Sequence, residues 1–241
     1  MRDSATTEVR QNSPKGRGRR RGPKLTKARI LAAALALTAR DGIAGLTTRK
    51  LGRALGVEAM SIYHHFPSKR HLMDALVDHA IGSVAFAASG SPKARLRALC
   101  HAYRAMAHRY PKLYPLVALH RFNTPTGVRF IERVLTLIQA MEPDPERAAR
   151  QFRAVGYYLI GATLDETAGY ARGPSAAIPV DDAYIAQHCP RLAAAAPYFK
   201  ETEWNATFAT GLDALFAGIE ANATRPSRAR RAVRQPRGPT S

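Results

Sequence analysis

Apolar residues recur along this chain at intervals of three and four, the spacing of a buried helical stripe, and no alternating run of β-branched residues bounded by turns interrupts them. The pattern predicts an all-α protein. Thr26 stands as N-cap to a first helix whose Ile30, Leu31, Ala34, Leu35 and Thr38 share a face, and Asp41-Gly42 ends it. A short pair follows. Thr47 or Thr48 caps a helix through Leu55, Gly56 breaks it, and a second short helix runs from about Glu58 to His65. Pro67-Ser68 opens a longer helix with Leu72, Leu76, Ala80 and Val84 on one side. Ser91-Pro92, Thr124-Pro125 and Asp144-Pro145 each set a capping side chain before a proline at the first helical position, so three more helices start there.

From Asp144 to about Tyr170, Phe152, Val155, Leu159 and Thr163 fall at helical spacing, with Gly156 and Gly161 among them. Interior glycine costs about 1 kcal/mol relative to alanine, so a close approach to the helix backbone is expected there. Residues 173–197 read as a loop with one short helix around Tyr184. A final amphipathic helix spans Thr202 to about Asn222, with Trp204, Phe208, Leu212, Leu215, Phe216 and Ile219 on a wide apolar face. The two late helices either pack in one core or pair two copies of the chain.

Charge sharpens this picture. The 241 residues carry 37 Lys and Arg against 18 Asp and Glu, a net +19. Residues 1–24 and 224–241 hold +6 each, with too few apolar side chains to offset the entropy of ordering, so both are expected to be disordered when free. Residues 25–79 hold +4 and residues 80–223 only +3.

The longest stretch free of charged residues, His79 to Pro92, is fourteen residues, short of the ~20 a membrane helix needs. The polar, Arg-rich start does not resemble a secretory signal. Cys100 and Cys189 lack metal or CxxC spacing and suit a reducing cytoplasm, as small buried or half-buried thiols.

Catalysis is not expected. Asp165-Glu166, Asp181-Asp182 and Cys100-His101 are sequence neighbours, and adjacent helical residues point about 100° apart. No phosphate-binding glycine loop, nucleophile elbow or HExxH occurs.

Residues 47–66 have the layout of a helix-turn-helix. Leu51 and Leu55 anchor the first helix, Gly52 permits close packing, Gly56 makes the turn, and Val57 and Ile62 fix the second helix. Ala59, Met60, Ser61, Tyr63, His64 and His65 are left facing outward, on a helix that fits the ~12 Å major groove of DNA.

Gly45-Leu-Thr-Thr-Arg-Lys-Leu51, Gly56-Val57, Ser61-Ile-Tyr-His-His-Phe66 and Ser68-Lys-Arg-His-Leu-Met-Asp-Ala-Leu76 resemble the DNA-binding domain of the TetR family of transcriptional regulators, over about residues 25–84. Arg153 to Asp165 and His120 to Thr126 resemble the C-terminal domain of tetracycline repressors. The resemblance implies a homodimer on operator DNA, with a head at 25–84 and an effector-binding and dimerising domain at 85–223, while composition sets apart a basic arm at 1–24 and a basic tail at 224–241.

It also places Thr48, Arg49, Ser61, Tyr63, His65 and Lys69 against DNA. Chemistry divides their roles. Tyr63 and Lys69 suit phosphates, Arg49 a guanine edge, and Ala59 and Met60 thymine methyls. His64 stands where tetracycline repressors carry a larger aromatic residue. The run from Arg17 to Lys24, with Arg20 and Arg21 at its centre, can reach phosphates or an A·T-rich minor groove.

On the effector side, His120, Asn123 and Asp165 stand where tetracycline repressors hold a magnesium-drug chelate, with His120 as the metal ligand. Two positions depart from that pattern: Asp165 replaces a longer acid, and Tyr157 a histidine. His120 has an alternative role as a helix-end residue bonded to backbone carbonyls. Tyr103, Met106, Tyr110, Tyr157 and Tyr158 suit an aromatic or lipophilic effector, and no cofactor is otherwise required. Two other readings stay open beside a repressor: a sequence-tolerant DNA-coating protein driven by the arginine-rich ends, and an activator with the same head.

Overall fold

A computed structural model describes residues 24–120, 122–168 and 176–223. Arg20 and Arg21, and with them residues 1–23 and 224–241, lie outside the described residues, as does Tyr170. Every regular element described is helical.

The head consists of α1 (Lys27–Gly45), α2 (Thr48–Leu55), α3 (Ala59–Tyr63) and α4 (Lys69–Gly82). Side chains at each entry satisfy otherwise orphaned backbone donors: Thr26 accepts from Arg29 N, Thr47 from Lys50 N and Ser68 from His71 N. Gly42 leaves helical geometry at φ +71°, and one further turn of α1 follows it. The buried stripe of α1 is Ile30, Ala34, Leu37 and Thr38, while Leu31 and Leu35 are half-buried.

The larger domain holds α5 (Pro92–Arg109), α6 (Tyr114–Leu119), α7 (Pro125–Gln139), α8 (Pro145–Ala168), α9 (Asp182–His188), α10 (Pro190–Ala195) and α11 (Trp204–Ala223). Ser91, Thr124 and Asp144 cap α5, α7 and α8 as expected, accepting from Ala94 N, Gly127 N and Arg147 N. The six-residue α6 has no counterpart in the periodicity, because fewer than two turns cannot establish one. The stretch read as loop after residue 173 holds two helices, α9 and α10, and two short 3₁₀ turns at Ala196–Phe199 and Glu201–Glu203.

α8 is the spine of this domain, packed against α5, α6, α7 and α11. It buries Val155, Leu159 and Thr163, while α11 buries Phe208, Leu212, Phe216 and Ile219. The close approach expected at Gly156 and Gly161 is absent among the described residues: a Cβ at either position would meet nothing within 4 Å. Both glycines lie away from the buried stripe of α8.

One fully buried carboxylate fixes the α7–α8 corner. Glu142 accepts from Arg147 Nε at 2.7 Å and Nη2 at 2.8 Å, and from Asp144 N at 3.1 Å. The two domains share one hydrophobic core. α4, packed against α5, α6 and α7, is the element that joins them.

Candidate nucleic-acid interface and effector site

The α2–turn–α3 unit is held from beneath. Leu46, Leu51, Leu55, Ile62 and Phe66 are buried in the head. Gly56 sits at φ +68°, a left-handed conformation that side chains resist, and its N–H reaches back to the carbonyls of α2. Gly52 lets the turn fold flat: a Cβ there would lie 2.8 Å from Val57 O and 3.3 Å from Ala59 N. Both are backbone atoms of the turn itself.

Gly52→Ala is therefore expected to destabilise the head by about 1–3 kcal/mol, the usual cost of overpacking, and to weaken DNA binding with it. Gly82→Ala, where the added carbon meets nothing, serves as the control in thermal unfolding. Equal melting temperatures for the two variants would refute the packing role.

With that apolar side sunk, the opposite side is left to solvent. Met60 and His64 are exposed, Tyr63 borders on exposed, and Ala59, Ser61 and His65 are half-buried along α3. Arg49 on α2 and Lys69 at the start of α4 are exposed, and Thr48 is half-buried beside Arg49. Among the described residues, no hydrogen bond or ion pair engages the side chains of Arg49, Ser61, Tyr63, His64 or Lys69. Neighbouring charges behave differently. Lys50 Nζ of α2 lies 2.9 Å from Asp41 Oδ2 and so braces the α1–α2 corner, while Arg40 Nε, 2.8 Å from Asp41 Oδ1, pairs with that carboxylate within α1. Hydrogen bonds from Arg40 and then Lys50 hold the Asp41 carboxyl far below the usual carboxylate range.

In the larger domain the tyrosines named from sequence separate. Tyr103 and Met106 are buried in its interior. Tyr114 and Thr163, which sequence alone did not single out as site residues, join Tyr103 in a chain of hydroxyls. Thr163 gives its one proton to Leu159 O at 2.5 Å, so Tyr114 donates to Thr163, and Tyr103, 3.5 Å away, donates to Tyr114. Burial pushes the Tyr103 phenol well above its ordinary value and raises that of Tyr114.

Tyr110, half-buried at the end of α5, lies against α4, its hydroxyl 3.3 Å from His79 Nε2. Tyr158 is a packing residue. Its hydroxyl donates to Phe208 O at 2.8 Å and its ring covers Gly211 of α11. Tyr157 points the other way and is 63% exposed, so it does not line the interior.

The expected chelate set does not converge. His120 ends α6 with Nε2 2.9 Å from Asp74 Oδ1 of α4, in place of a bond to backbone carbonyls, and its buried Nδ1 has no partner among the described residues. Asn123 is exposed. Asp165 is two residues from Thr163, about 200° around α8, and therefore faces away from α6. Among the described residues no three His, Cys, Asp or Glu side chains gather as ligands of a metal would. The residues present thus do not fit a magnesium chelate within one protomer.

What sequence reading missed lies between elements. Asp74 and Asp78 of α4 hold the larger domain, through His120 and through the Thr124 hydroxyl, which donates to Asp78. Lys112 adds a bond to Arg40 O of α1 at 2.7 Å. Glu166, seen only as half of an acid pair, is buried and accepts from Arg104 Nε at 2.7 Å, with His108 Nε2 also 2.7 Å away. Arg104 continues to Asn205 of α11. The partners in these ties stand 46 to 101 residues apart, which leaves no local signal. Cys100 is buried and its thiol is pushed up to about 12, an inert group; Cys189 is half-buried.

Two grooves lie outside this interior. One of about 370 Å³ runs between α8 and α11, lined by Arg147, Arg150, Gln151, Ala154, Ala214, Leu215, Gly218 and Ile219. A shallower one of about 360 Å³ follows α8 from Ala149 to Tyr157.

Comparison with known proteins agrees with this architecture. Residues 30–76 match the sequence model of bacterial regulatory proteins of the tetR family, and residues 88–223 that of the tetracyclin repressor-like C-terminal domain. The chain is 32% identical to the HTH-type transcriptional repressor DrrR1 of Streptomyces coeruleorubidus over 63% of its own length and 58% of that protein. It is 30% identical to the class G tetracycline repressor of Vibrio anguillarum, covering 82% of this chain and 94% of that one. Among solved structures, TetR from Acinetobacter baumannii AYE superposes with a TM-score of 0.66 at 28% identity, over 83% of this chain and 99% of the other. A single-residue variant of that Acinetobacter protein, solved in complex with minocycline, gives a TM-score of 0.61 at 26% identity, over 84% of this chain and 100% of the other.

Proposed function

The chain belongs to the TetR family of DNA-binding transcriptional regulators, and from that premise we propose that it is a cytoplasmic, homodimeric repressor that leaves a palindromic operator when an aromatic or lipophilic molecule binds its larger domain. One observation carries the DNA half of this reading: α3 buries one side in the head and presents the other, with Arg49 and Lys69 beside it, free of hydrogen bonds to any described residue. Such a helix can pair with base edges and phosphates without first breaking contacts of its own.

Two copies of the head set the operator. Half-sites lie roughly 34–36 Å apart, one helical turn, and a palindrome is preferred over random DNA by about 10³-fold or more at matched salt. A steep salt dependence with little preference would instead indicate the DNA-coating protein. Sequencing the fragments retained by the purified protein identifies the operator, and its position relative to the promoter separates repressor from activator.

The effector half rests on the junction of α4, α5 and α6. Tyr110 meets His79 of α4 there and His120 meets Asp74 of α4, Tyr103 and Met106 are buried on α5, the helix that Tyr110 ends, and His120 Nδ1 is buried with no partner among the described residues. Minocycline in the Acinetobacter baumannii relative supports a polycyclic aromatic occupant. The aromatic interior, and no metal chelate, is what supports it in this chain.

A ligand that contacts His120 favours the arrangement in which Asp74 is released, and α4 carries that preference to the head. Asp74→Ala is expected to leave operator affinity within about threefold while raising the effector concentration for half-release at least tenfold, equal to about 1.4 kcal/mol of coupling. An unchanged release curve in a DNA-binding titration would remove Asp74 from the coupling.

Dimerisation is supported by the outward faces of α8 and α11, where Ala149, Ala154, Ala214 and Gly218 surround the two grooves. A monomer in light scattering at micromolar concentration would overturn it. No described helix is long and apolar enough to cross a membrane.

A further inference from the structure

The groove between α8 and α11 contains an anomaly. Gln151 is only 7% exposed, yet neither its Nε2 nor its Oε1 has a hydrogen-bond partner among the described residues. Buried amides are almost always paired, and this one lines a groove of about 370 Å³ whose apolar wall is Ala154, Ala214, Leu215, Gly218 and Ile219 and which Arg147 and Arg150 also line. The site is therefore shaped for an apolar body carrying a hydrogen-bonding tip.

Such a group stands on the same outward side of α8. Tyr157 is exposed, and it is held in place rather than free: Arg153 Nη2 donates to its hydroxyl at 2.7 Å while the guanidinium sits 4.6 Å from the ring centroid. The bond from Arg153 uses one lone pair of the phenol and leaves its proton and second lone pair for a further partner. Gly156, Gly161 and Gly218 have open space where a Cβ would be, so a second backbone can come close.

We propose that Tyr157 of one copy inserts into the α8–α11 groove of a second copy, its hydroxyl bonding the Gln151 carboxamide, and that two-fold symmetry repeats the insertion in the other direction. This rests on the homodimer proposed above and assigns its register. Isologous contacts of this kind come in pairs, so each dimer buries two phenol rings and satisfies two otherwise unpaired amides.

Two measurements test it on the full-length protein. First, p-benzoylphenylalanine placed at position 157 is irradiated in a mixture with isotopically labelled chains. The expected product is an intermolecular cross-link to residues 151–154 or 214–219 of the labelled copy. Second, the dimer dissociation constant is followed by sedimentation for Tyr157→Phe, Gln151→Leu and the double variant. Each single change is expected to weaken the dimer at least tenfold, and the double change no more than either alone. Dimers that form but cross-link elsewhere, or single effects that simply multiply, overturn the insertion while leaving the dimer standing. A wild-type monomer overturns both. Tyr157→Phe removes an exposed hydroxyl and its surface bond from Arg153, and Gln151→Leu replaces an unpaired amide with an apolar side chain of similar size, so folding is preserved in each.

Discussion

Arg49→Ala is expected to weaken operator binding by about 1–3 kcal/mol, roughly ten- to a hundredfold, and to relax selection at one base position while leaving the others intact. The side chain is exposed beside the recognition helix and engages no other described group of the chain. Its removal therefore costs the fold almost nothing, and the weakened binding reports on DNA alone. A guanidinium pairs bidentately with guanine O6 and N7, a geometry no other base presents in the major groove. Lys69→Ala provides the contrast: an ammonium that grips phosphate reads no base, so its removal should weaken binding to all sequences alike and lower the salt slope by about one. Selection from a randomised operator library reads both outcomes. A uniform effect of Arg49→Ala on every sequence would show that it grips phosphate and reads no base.

The second large effect is on stability. Arg147→Ala should destabilise the larger domain by about 3–5 kcal/mol, because it strands the fully buried Glu142 carboxylate with a single backbone N–H as partner. Glu142→Leu combined with Arg147→Leu should recover much of that stability, since neither charge is then taken out of water.

The pH dependence has a definite sign. Hydrogen bonds from Arg147 hold the Glu142 carboxyl below its ordinary value in the folded state. The tie therefore contributes fully above the unfolded-chain value of about 4.3, and is lost as pH falls through the lower folded value. In Arg147→Ala the carboxylate loses that depression, so wild type and variant should converge in stability on acidification. Denaturant unfolding at several pH values checks this, and a constant difference down to about pH 3, well below the ordinary carboxyl value, would refute it.

Much of the fold was legible because its signals are local. Thr26, Thr47, Ser68, Ser91, Thr124, Asp144 and Asp181 each accept a backbone N–H three residues on, a pairing that a short stretch of sequence contains in full. Gly52 is similar, since the carbonyl that would crowd its Cβ is only five residues away. The outward face of α3 followed from the same logic. Once Leu51, Leu55 and Ile62 are committed to the core, helical geometry aims Met60, Tyr63 and His64 outward.

The effector side was not legible in that way. Tyr157 and Tyr158 are adjacent and chemically identical, and naming both as effector liners overlooks that Tyr157 lies about 200° around α8 from Val155 and Tyr158 only about 60° from it. They part because α11 docks on one side of α8: Tyr158 covers Gly211, and Tyr157 is left in the open. His120 shows the same limit. Its partner Asp74 is 46 residues away on a helix of the other domain, and only the packing of α4 against α6 brings the two together.

By itself, then, the sequence determined that the described fold is all-helical, where most helices begin, and which short segment forms the helix-turn-helix, since each depends on interactions spanning a few residues. Tertiary structure alone decided which polar side chains tie the domains together, which aromatic residues are core, and which buried amide still wants a partner. Those outcomes depend on how helices distant in sequence approach one another, and that approach is set by the shape of the whole core.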